Sequence, residues 1–165
     1  MRLPLALPLL VLSATAAAQE PVLNFTDMQP MQGAWSGELM YIDYTGGAET
    51  HIPATLLLTP MDQYHWRIGF GYTEEPQANA LDTLVLAEDG RTLDGFTVLE
   101  VQRYTTDSLR FVLQAEGEDD HKPATLRKTW TLGPHTCTLR KEVRFVALNG
   151  EAMPFFLRHE YRFKR

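Results

Sequence analysis

Across residues 33–164, apolar and polar side chains alternate with a period of two, in short runs broken by turn formers. That period is met by strands with one buried and one wetted face. In the run 63–73, Tyr64, Trp66, Ile68, Phe70 and Tyr72 fall on one side and His65, Arg67, Gly69 and Gly71 on the other. In 108–117, Leu109, Phe111 and Leu113 oppose Arg110, Gln114 and Glu116. In 155–164, Phe155, Leu157, His159, Tyr161 and Phe163 oppose Arg158, Glu160, Arg162 and Lys164. Further strand-like runs lie at 33–44, 50–59, 80–87, 96–104, 124–132 and 136–146. Asp89-Gly90, Asp94-Gly95 and Asn149-Gly150 lie between runs, and such pairs favour tight hairpins because both positions tolerate positive φ.

The connections are short and sequential, with no long crossover, which favours a barrel over a Greek-key sandwich. The expected fold is all-β: an antiparallel up-and-down β-barrel of about nine or ten strands, wide enough to enclose a small ligand. Closure also removes free strand edges. A short N-terminal helical turn is expected within 22–32, with Asn24 as its cap. A charged outer face around an apolar inner one describes a water-soluble drum, since an outer-membrane barrel would place the apolar face outward.

The N-terminus reads as a secretory signal peptide. Arg2 precedes the apolar run 3–12, which is too short to span a bilayer, and Ala16-Ala17-Ala18 supplies the small residues a signal peptidase accepts. The expected organisation is a signal peptide at 1–18, a lead-in at 19–32 and the barrel domain at 33–165, in an exported protein that is periplasmic or secreted. The net charge of −6 disfavours nucleic acid and anionic lipid as partners. Cys137 is the sole cysteine, which excludes an intramolecular disulfide, and its strand-like setting predicts a buried, inert thiol.

Gly33-Ala34-Trp35 opens the first strand just after the expected helical turn. In this the chain resembles the calycins, the lipocalin and fatty-acid-binding-protein group. Lipocalins begin their first strand with Gly-x-Trp, whose Trp closes one end of the barrel. They also pack a late Arg across that Trp, a place that Arg158 or Arg162 would take here. Extension to Gly37 gives Gly-x-Trp-x-Gly, which resembles the start of nitrobindin-type haem-binding barrels.

Polar residues on otherwise buried faces mark the candidate site. Lys128 shares a face with Leu126, Trp130 and Leu132; Lys141 shares one with Leu139, Val143 and Phe145. With Gly133-Pro134 as a two-residue turn, the lysines become diagonal neighbours. His159 lies on the apolar face of the last run, and Glu100 and Gln102 share a face with Phe96 and Val98. An ammonium in an apolar interior loses its proton or finds an anion or water. Two inward lysines therefore point to a hydrated cavity that receives an acid. The alternatives are lysines that snorkel to the rim, or a buried structural cluster with Glu100. A strict Asn149-Gly150 turn would put His159 on the wrong face, so an irregularity near Met153-Pro154 is expected.

The resemblance adds that fatty-acid-binding proteins hold a carboxylate with an Arg-x-Tyr pair on the final strand. His159-Glu160-Tyr161 occupies the comparable place, with His for Arg. The expected function is a lipocalin-like barrel binding a small amphipathic or acidic ligand. Lys128, Lys141, His159 and Tyr161 would be its anchors, and Trp66, Ile68, Phe70, Phe111 and Trp130 its walls. Two rivals stand beside it: a solid barrel whose outer face binds an envelope protein, and a haem-binding barrel ligated by His159. Asp119-Asp120-His121 reads as a solvated hairpin tip. No nucleophile elbow, phosphate loop, or metal-ligand spacing is present, so neither catalysis nor a cofactor is expected.

Overall fold

A computed structural model describes residues 20–42, 47–146, 150–151 and 153–165. The expected signal peptide and the Asn149 half of one expected turn lie outside them. Ten strands form one antiparallel sheet: β1 (Gly33–Ile42), β2 (Glu49–Pro60), β3 (His65–Tyr72), β4 (Ala80–Val85), β5 (Thr92–Leu93), β6 (Phe96–Thr105), β7 (Ser108–Asp119), β8 (Lys122–Gly133), β9 (Thr136–Phe145) and β10 (Phe156–Lys164). Each strand pairs with its sequence neighbour, except at β4 and β5, and β1 also pairs with β10. This is the expected up-and-down barrel. β4 and β5 are joined by a single bridge, Leu86 to Leu93, which leaves a seam in the wall. The runs had suggested nine strands. The tenth, β5, comprises only two residues and exists because Asp94 (φ 54°) and Gly95 (φ 75°) fold Leu93 back onto Phe96.

The period-two pattern sets the interior. Trp35, Trp66, Phe111 and Phe163 are fully buried at one end, packed with Leu56, Leu58 and Cys137. Burial pushes the Cys137 thiol up to about 12, which keeps it protonated and inert. This end is stoppered by α1 (Phe25–Met28) and the 3-10 turn Gln29–Met31, whose Met28 and Met31 are fully buried. Asp27 Oδ2 accepts from the Asn24 backbone N–H at 2.7 Å, one arm of a capping box. Arg103 of β6 holds the same carboxylate with two contacts of 2.6 Å, tying the stopper to the wall. Trp35 donates its indole N–H to Met31 O at 2.8 Å.

The late Arg across Trp35 is Arg165. Its guanidinium carbon lies 4.2 Å from the Trp35 ring centroid, and it donates to Gln32 O at 3.0 Å. Arg158 and Arg162, the expected candidates, are placed elsewhere: Arg162 pairs with glutamates on the outer face, and Arg158 enters the open end. Gly37, second glycine of Gly-x-Trp-x-Gly, sits so close to β10 that a Cβ would lie 1.9 Å from Arg162 O. No side chain fits there.

Candidate functional site

The interior divides along the strands into an apolar end and a polar one. At the polar end the registers bring together Leu113, Lys128, Lys141 and His159 on four successive strands, each paired directly with the next. The β8–β9 hairpin turns at Pro134-His135, since Gly133 pairs with Thr136. Lys128 therefore lies directly opposite Lys141, where a turn at Gly133-Pro134 would have put it opposite Leu139 and diagonal to Lys141. His159 reaches the inner face through an irregularity in β10, as parity required, but it falls at Arg158 rather than at Met153-Pro154. Leu157 pairs with Glu142 and His159 with Lys141, so Arg158 is the extra residue. The bulge reverses the parity upstream of it. Phe156 is thereby paired with inward Val143, and Phe155 lies outside the strand beneath Arg127 and Arg144.

A second bulge, between Val98 and Glu100, turns Glu100 and Gln102 away from the interior. Glu100 pairs on the outer face with Arg110 at 2.8 Å. The carboxylate that meets the interior cations is Asp119. Asp120 (φ 52°) and His121 (φ 58°) make the whole hairpin turn, leaving Asp119 as the last residue of β7 and 8% exposed. Lys141 Nζ donates to Asp119 Oδ1 at 3.0 Å, and Arg158 Nε lies 3.4 Å from Oδ2. Arg158 also donates to Ile42 O at 3.1 Å, so its side chain links β1, β10 and β7 across the mouth. The solvated hairpin tip is thus confined to Asp120 and His121. Asp119 shares parity with Leu109, Phe111 and Leu113, a signal already present in the sequence.

Electrostatics follow from burial. Desolvation, then the Lys141 and Arg158 charges, push His159 down to about 4, while Asp119 opposes the shift; the imidazole is neutral at pH 7. Burial and a 2.6 Å hydroxyl contact with Tyr72 raise the Tyr161 phenol above its ordinary range. That contact joins β3 to β10 across the interior. Lys128 is lowered by desolvation, partly opposed by Asp94 and Asp82, and lowered a little further by Lys141. Its ammonium lies 4.0 Å from the Phe96 ring centroid and forms no ion pair among the described residues.

Lys128 lines a cavity of about 180 Å³ inside the barrel. Ile68 and Phe70 of β3, with Ala80 and Leu84 of β4, form one wall; Leu113, Trp130 and Leu139 form the facing one. Asp82, Leu93 and Asp94 complete it at the β4–β5 seam. Of the expected walls, Ile68, Phe70 and Trp130 border this space. Trp66 and Phe111 are fully buried in the packed end. Lys141, His159 and Tyr161 gather with Asp119 and Arg158 at the polar end. A larger hollow, about 670 Å³, lies on the outer face beside Glu38, His51 and Arg162. There Glu38 meets His51 at 3.4 Å and Arg162 at 3.7 Å, and the hollow lies outside the barrel wall, with Glu74 and Lys164 at its exposed border.

No family model and no curated protein matches the chain. Among solved structures it is similar to a mutant of the fluorescent protein UnaG, a calycin barrel of the fatty-acid-binding-protein kind. The identity is 11%, the TM-score 0.42, and the match covers 84% of this chain and 97% of that one. The resemblance is weak and concerns the fold.

Proposed function

We propose that the barrel binds a small amphipathic acid, its anionic end against Lys128 and its apolar part between Phe70 and Trp130. One observation carries the reading: a desolvated ammonium faces an otherwise largely apolar cavity without an ion-pair partner among the described residues. Lys141 and Arg158 already share Asp119, so their charges have a local use. Lys128 has none so close. An arriving carboxylate favours the charged form of Lys128, against the desolvation that lowers its pKa, and gains a charge-assisted hydrogen bond. At about 180 Å³ the cavity suits a small molecule better than a porphyrin, which favours this reading over haem ligation by His159. The void itself favours it over a solid barrel that serves only as an interaction surface. Arg2, the apolar run and Ala16-Ala17-Ala18 support a place of action outside the cytoplasm.

Isothermal titration of the purified protein with octanoate tests the proposal. Saturable binding, weakened tenfold or more in Lys128→Met, is the expected result. Binding that Lys128→Met leaves unchanged, or no binding by the well-folded protein, would reject it.

A further inference from the structure

The cavity that holds Lys128 holds two carboxylates as well, which favour the Lys128 charge from a distance without pairing with it, and a simple acid makes no contact of its own with them. Asp82 lies on the inward row of β4 between Ala80 and Leu84, paired in register with Ile68. An apolar residue would be ordinary there. Asp82 is nevertheless exposed, because the seam between β4 and β5 lets solvent in. One of its oxygens accepts the Thr83 backbone N–H at 2.7 Å, and it forms no ion pair among the described residues. Asp94, also exposed, stands across the seam at the first position of the β5–β6 turn. Its positive φ gives Asp94 a local reason to be Asp. Asp82 has no such reason. The cavity therefore carries both signs: two exposed carboxylates at the seam and, facing them over the Phe96 ring, the less exposed ammonium of Lys128.

We infer that the ligand is dipolar: an amphipathic molecule whose acid group reaches Lys128 and whose amine remains at the seam, between Asp82 and Asp94. This rests on the acid reading above and names the ligand class within it. A plain acid must pass two carboxylates and then competes with them for the Lys128 charge that they already favour. A molecule with separated ammonium and carboxylate groups meets both polarities, and its tilt in the cavity is set by charge. The seam pair is exposed, so its share of affinity is modest and salt-sensitive.

Titration of the full protein with octanoate, octylamine and 8-aminooctanoate at low and high salt tests this. The expected order has 8-aminooctanoate about three- to tenfold tighter than octanoate at low salt, with octylamine weakest. Asp82→Asn should erase that advantage and leave octanoate equal or slightly improved. Equal or tighter binding of octanoate in the wild type, still weakened by Lys128→Met, overturns the dipolar inference while the acid reading stands. Octylamine as the tightest ligand, or no binding of any of the three, overturns both. An advantage for 8-aminooctanoate that survives Asp82→Asn and Asp94→Asn together also overturns the role given to the seam.

Discussion

The two ends of the barrel interior are built from the same strands and have opposite character. At the stoppered end, Trp35, Trp66, Phe111 and Phe163 pack with Met28 and Met31 at 0–1% exposure. At the open end the same inward rows carry Asp119, Lys141, Arg158 and His159, with Lys128 between the two zones. Burying apolar area stabilises the first end by about 25 cal/mol per Å². Burying charges at the second costs free energy that the ion pairs only partly return. A buried ion-pair cluster is weak evidence for stability, and the proposed ligand gives the polar lining a second reason to exist.

Three perturbations separate the ends. Trp35→Ala removes one of the two fully buried tryptophans and its bond to Met31 O; a loss of about 4 kcal/mol is expected, read as a lower urea midpoint. A loss below about 1 kcal/mol would show that the stopper is not the stable end. Asp119→Ala strips Lys141 and Arg158 of their shared carboxylate and should cost about 3 kcal/mol. If the cluster serves folding alone, the triple change Asp119→Leu, Lys141→Met, Arg158→Met should not regain that loss. If the charges are a net burden, it should. The third is pH. His159 has a folded pKa of about 4 against 6.5 when unfolded, so the unfolded chain binds the proton first. The stability held by its neutral form is complete above pH 6.5 and is lost as pH falls towards 4, by about 2 kcal/mol after discounting residual exposure. In His159→Phe the slope of stability with pH across that window should flatten; an unchanged slope would place the titration elsewhere.

How much of this was legible depends on whether parity survived along each strand. Where strands are regular, as in β3 and β7, the alternation placed Trp66, Ile68, Phe70 and Phe111 inside without error. Lys128 and Lys141 were found for the same reason. Bulges broke the inference elsewhere. One extra residue before Glu100 turned it outward, and Arg158 in β10 brought itself inside while reversing Phe155 and Phe156. A bulge has no composition of its own, so the alternation shows that parity must change but not where. Asp119 was missed for a different reason: a run of acidic residues reads as a wet turn, although two positive-φ residues suffice to make that turn. The late Arg over Trp35 went to Arg165 because that residue lies past the end of β10 and is free of its parity, so it can fold over the barrel end.

On the proposed function, Lys128 is held away from a full ionic partner so that a ligand can supply one. Lysine side-chain NMR, with Lys128→Met for assignment, tests it by following Lys128 Nζ as a function of pH with and without octanoate. Lys128 is expected to titrate below the ordinary lysine range in the free protein and to move upward when octanoate is bound. An ordinary titration in the free protein, unmoved by saturating octanoate, would contradict it.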